Sequence, residues 1–84
     1  MSLFKWVFDY NCYVCLDAPC VDASVMLQRL LRGGRRVDGW FLRMTIFIEQ
    51  TGDFEHFRNS YSTQEKAMRA AEELILRYKL EGKI

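Results

Sequence analysis

At the start of the chain Phe4, Trp6, Phe8, Tyr10, Cys12, Val14 and Leu16 occupy every second position, with Lys5, Asp9, Asn11 and Asp17 between them. This period of two predicts a half-buried strand beginning near Leu3, which Pro19 must end and whose far limit past Asn11 is not sharply marked. Residues 22–32, DASVMLQRLLR, change the period. Ala23, Met26, Leu27, Leu30 and Leu31 fall on one helical stripe, Asp22 stands where an N-cap would, and Gly33 stands just past the end. A helix of about three turns is predicted there.

The glycines of GGRRVDG predict a loop, after which Trp40, Leu42, Met44, Ile46 and Ile48 alternate with Phe41, Arg43, Thr45, Phe47 and Glu49. Gly52 beside Asp53 marks a hairpin turn back into a third strand. With Thr51 and Gly52 as a two-residue loop, Leu42 would face Tyr61, Ile46 would face Phe57 and Phe47 would face His56, a register that a longer loop would change. Ser62 and Glu65 have capping-box spacing, and Ala67, Met68, Ala71, Leu74, Ile75 and Tyr78 form a helical stripe that stops before Gly82. The expected class is α+β. The order is β-α-β-β-α, a small two-layer sandwich in which a three-stranded sheet, antiparallel in its 40–61 hairpin, carries both helices on one face within a single domain, 1–84.

One consequence concerns the hairpin. Two short helices with one apolar stripe each cover one face of three strands, and the face bearing Trp40, Leu42, Met44, Ile46, Ile48, Phe57 and Tyr61 is the richer one. The reverse would then display Phe41, Arg43, Phe47, Phe54, His56 and Arg58, joined by Lys5, Val7, Asp9 and Tyr13 if strand one keeps its phase. Burying a phenylalanine is worth roughly 1.5 to 3 kcal/mol, so aromatics left in water beside arginine call for an explanation. Either another part of the chain folds over them, or they form a contact surface, for which aromatic residues and arginine are the types that interface centres favour.

Composition narrows the classes. Eighty-four residues with 50% apolar content and six Phe, four Tyr and two Trp are enough for one core and too short for two. A formal charge of +1 supplies no bulk field towards nucleic acid or an anionic membrane, so any electrostatic partner must be met by a local patch. The apolar start MSLFKWVF is broken by Lys5 and Asp9, far short of the roughly 20 residues of a membrane span, and resembles no secretory signal. Three cysteines cannot all pair within the chain, and a reduced cytoplasm is the expected location.

Little of the remaining chemistry points to catalysis. Cys12, Cys15 and Cys20 have the spacing of a partial metal knuckle, but zinc in a structural site takes four ligands and no second pair follows, so small half-buried thiols are expected and no metal. Arg29, Arg32, Arg35 and Arg36 form a basic patch, read either as favourable charge at the end of the predicted helix or as a phosphate contact. His56, the single histidine, has an arginine and a phenylalanine as expected neighbours and no nucleophile to serve. Glu65, Glu72, Glu73 and Glu81 fall on the solvent side of the last helix. The segment IFIEQTGDFEHFRNSYSTQEKA has a hairpin-then-helix cadence common to many small unrelated proteins, phage-encoded inhibitors among them, and identifies no family.

The expectation is a non-enzymatic binding protein without cofactor or small-molecule substrate. It would act stoichiometrically, as an inhibitor or adaptor, on another protein or a second copy of itself through the aromatic and arginine face. The alternative is a single-stranded nucleic-acid module that stacks bases on that face and holds phosphates with the arginine patch, although no RNP-type signature is present.

Overall fold

The computed structural model describes residues 4–9, 12–15 and 20–84. Its elements are β1 (Trp6–Asp9), β2 (Cys12–Cys15), β3 (Val21–Arg32), β4 (Arg35–Ile48), β5 (Asp53–Tyr61) and one helix, α1 (Gln64–Leu80). The five strands form one antiparallel meander in the order β1-β2-β3-β4-β5. The α+β class holds with one helix where two were expected, and the sheet has two more strands than expected.

Both differences have local causes. Residues 21–32 satisfy two periods at once: the helical stripe, and the alternation of Val21, Ala23, Val25 and Leu27 with Asp22, Ser24 and Met26. An isolated helix of this length is marginal, whereas β4 offers a ladder of twelve paired positions from Val21↔Ile46 to Arg32↔Arg35. The turn that allows this ladder is Gly33-Gly34, with φ of 57° and 75°. Positive φ at both central residues is the type I′ geometry that matches strand twist, so the glycines make a hairpin instead of ending a helix. Ala23 and Val25 become fully buried, while Met26 and Leu27 of the supposed stripe are left 43% and 39% exposed.

The single first strand is instead a short hairpin, with Asp9 paired to Cys12 and Trp6 to Cys15. The expected start at Leu3 and end at Pro19 lie outside the described residues. Because the chain reverses after Asp9, Tyr13 sits opposite Val25, in the helix-side phase of the ladder, and not with Val7.

The β4–β5 hairpin pairs Trp40 with Tyr61 and Ile48 with Asp53, two positions from the expected register. The loop is four residues long, because the Ile48 carbonyl accepts from Gly52 N at 2.8 Å and from Thr51 N at 3.3 Å. A shift of two preserves the faces. Leu42, Met44, Ile46 and Ile48 are buried beneath α1, with Trp40, Phe57 and Tyr61 half-buried around them.

α1 packs on β3, β4 and β5. It presents Ala67, Ala71, Ile75 and Tyr78 to the sheet, the two alanines admitting a close approach. Its N-cap is Thr63, one residue later than the Ser62 of the expected capping box: Thr63 Oγ1 accepts from Lys66 N at 3.2 Å, and Ser62 Oγ accepts from Lys66 Nζ instead. At the other end Gly82, at φ 74°, completes a Schellman turn in which Lys83 N donates to Tyr78 O and Gly82 N to Lys79 O. Phe4 closes the core beside this end, with Lys79 Nζ 5.3 Å from its ring centre.

Candidate functional site: the open sheet face

The reverse of the sheet has no helix on it among the described residues. Its surface is a grid set by the ladders of β3, β4 and β5. One rung carries Met26, Phe41 and Ser60, the next Ser24, Arg43 and Arg58, the next Asp22, Thr45 and His56, and the last Phe47 with Phe54. All six residues expected on this face are therefore on it. Phe54 is 61% exposed and Phe41 and Phe47 are half-buried, while Arg43, His56 and Arg58 are exposed.

Register accounts for the contacts. Phe47 and Phe54 are direct cross-strand partners, and their ring centres lie 5.1 Å apart at a tilt of 45°. β3 begins beside them: Phe47 N donates to Cys20 O at 2.8 Å, and Cys20, Val21, Asp22 and Thr45 border a shallow depression against the two rings. His56 lies opposite Thr45, whose hydroxyl is 3.1 Å from Nδ1, and not opposite Phe47 as the shorter loop implied. Arg43 and Arg58 are opposed across the ladder, and like charges so placed are mutually unfavourable unless an anion lies between them. At the far end Gly39 lies opposite Gln28 without a side chain, and the Gln28 amide oxygen accepts from Ser60 Oγ at 3.3 Å.

Cys20 is half-buried at a backbone φ of 70°, and its thiol donates to Glu49 Oε1 at 3.4 Å. That hydrogen bond, then desolvation and the carboxylate's charge, raise its pKa, which keeps it a thiol and a weak nucleophile. Cys12 and Cys15 are three positions apart in β2, in opposite phases of the ladder. Among the described residues no group of three or more His, Cys, Asp or Glu side chains could hold a metal ion, and no helix is long and apolar enough to cross a membrane.

The basic patch does not join the aromatic and arginine cluster: by register Arg32 and Arg35 continue the phase of Met26 and Phe41 farther along the ladder, and Arg29 and Arg36 fall in the opposite phase. Arg29, Arg32, Arg35 and Arg36 belong to the distal half of the β3–β4 hairpin. From the Phe41 rung to the Arg32↔Arg35 rung is six positions, about 20 Å, and from Phe47 it is twelve, about 40 Å. Sequence reasoning treated the arginines as the end of a helix and missed this arm. The signal was present in GG set between two apolar runs, the hairpin punctuation that the type I′ turn requires.

No protein-family model matches the chain, and no curated protein and no solved structure is detectably similar to it.

Proposed function

We propose that the chain is a non-enzymatic binding protein whose open sheet face docks on a protein surface, with a second copy of the chain as the simplest partner. The observation that carries this reading is the Phe47–Phe54 pair on a face that α1 does not cover. Tertiary packing has been spent on one side of the sheet, where Met44, Ile46 and Val25 are fully buried. The other side keeps aromatic rings at one end, Met26 and Phe41 at the other and two arginines between them, the mixture of an interface centre. Sheet faces associate readily about a two-fold axis, since each rung then meets its own complement.

Light scattering over a wide concentration range tests the reading. The wild-type chain should shift from monomer to dimer, and Phe47→Ser with Phe54→Ser should remain monomeric while keeping its helical and strand signals. A strict monomer that also fails to retain any protein partner through these two rings overturns it.

A second reading has its own support. The opposed Arg43 and Arg58 beside exposed aromatics suit a single strand of nucleic acid, with bases stacked on Phe54 and phosphates held by the arginines. Salt separates the two, because phosphate contacts weaken steeply as salt rises and an apolar contact changes little.

A further inference from the structure

β2 pairs with β3 as far as Met26, and β5 pairs with β4 from Trp40 onwards. Beyond those positions residues 28–32 and 35–39 are bonded only to each other among the described strands, as a two-stranded ribbon of five rungs closed by Gly33-Gly34. At about 3.4 Å per rung its five rungs span some 17 Å.

The ribbon is where the charge is. Residues 28–39 contain four arginines and one aspartate, a net of +3. The whole chain has twelve basic and eleven acidic residues, so the remainder carries eight and ten, a net of −2. A near-neutral protein is thus divided into a basic arm and an acidic body. The register divides the charge between both faces of the ribbon: Arg32 and Arg35 are partner positions on the rung next to the turn in one phase, and Arg29 and Arg36 fall in the other, Arg29 with Asp38 as its partner position.

We infer that residues 28–39 are a ribbon arm that enters the major groove of double-stranded DNA. That groove is about 12 Å wide and admits a two-stranded ribbon, with phosphates on both walls. All four cations are arginine, whose planar fork serves phosphate oxygens and the O6/N7 edge of guanine alike. The deep, narrow major groove of A-form RNA excludes such a ribbon, so DNA duplex is preferred to RNA duplex. The acidic body keeps the remaining surface off the phosphates and directs the arm inward. The inference does not rest on the Phe47–Phe54 pair, which lies at the other end of the ladder from the arm.

Fluorescence anisotropy of a labelled random-sequence DNA duplex, with the full chain, tests it. Four phosphate contacts give a log–log salt slope near −3.6, so affinity should fall roughly 150-fold between about 50 and 200 mM salt. The triple variant Arg32→Ala, Arg35→Ala, Arg36→Ala should bind weakly and lose only about 3.5-fold over the same range. Arg36→Glu alone leaves the Arg32–Arg35 rung and the turn intact, and should weaken binding about tenfold or more at the lower salt. Arg69→Ala with Arg77→Ala, two exposed arginines of α1, should leave duplex binding unchanged. Absence of duplex binding at low salt, an unaltered slope in the triple variant, or loss of binding in the Arg69 and Arg77 variant overturns the inference. So does tighter binding to phosphatidylserine vesicles or to an RNA duplex than to DNA.

Discussion

Ile46 and Phe54 lie on neighbouring strands and opposite faces, and truncating each to alanine measures how one-sided the core is. Ile46 is fully buried between β3, β5 and α1. Its loss leaves a cavity under α1, and Ile→Ala in such a site costs about 2 to 5 kcal/mol. Phe54 is 61% exposed, so only about two fifths of the roughly 1.5 to 3 kcal/mol for burying its side chain is realised, about 0.6 to 1.2 kcal/mol. Its tilted contact with Phe47 adds a fraction of the usual 0.5 to 1.5 kcal/mol, because that contact faces water. The sum for Phe54→Ala is about 1 to 1.5 kcal/mol. Alanine lowers strand propensity in both variants, so the difference of about 2 kcal/mol reflects the two faces. In a chain of 84 residues each kcal/mol moves the melting temperature by about 4 to 8 °C. Urea unfolding followed by circular dichroism, at low micromolar protein and again at a hundredfold higher concentration, separates the contributions. At low concentration Phe54→Ala should retain most of the wild-type stability and Ile46→Ala should not. At high concentration Phe54→Ala should lose more, because the wild type gains a partner that the variant lacks. A loss in Phe54→Ala equal to that in Ile46→Ala, and independent of concentration, would show that the ring is part of the protomer's own core and would refute the argument.

The helix start gives a paired test: Thr63→Ala should cost about 1 kcal/mol through loss of the bond to Lys66 N, whereas Ser62→Ala should be nearly neutral, and chemical denaturation of both variants distinguishes the true cap from its neighbour. Tyr78 supplies an alkaline limit. Burial first, and then its hydrogen bond to Glu55, push its pKa up to about 12 from an ordinary 10, so the unfolded chain releases the proton more readily than the folded one. The stability tied to this group is therefore complete below about pH 10 and is lost as pH rises towards about 12; equilibrium unfolding across that window should show the decline, and Tyr78→Phe should remove it. At the arm, Gly34→Ala forces a side chain into φ 75°, costing about 1 to 2 kcal/mol, while Gly33→Asn should be tolerated, as amide exchange along residues 28–39 would report.

Local pattern alone determined α1 and the two faces of β4 and β5. A helical stripe of six residues allows no competing period, and strict alternation assigns every residue to a side whatever the loop length, provided that register errors come in steps of two. This is why Phe41, Arg43, Phe47, Phe54, His56 and Arg58 share a face even though Phe47 pairs with Phe54 and not with His56 as a two-residue loop implies. Residues 21–32 were illegible for the opposite reason. Their apolar positions fit a helix and a strand equally well, and hydrogen bonds supplied by β4, far away along the chain until Gly33-Gly34 turns it back, decide between them. That one tertiary choice put strand in place of a helix and set the four arginines in the distal half of the β3–β4 hairpin, beyond the aromatic rungs. The polar backbone groups of a twelve-residue segment must all be satisfied, and only the folded neighbour could satisfy them as a strand.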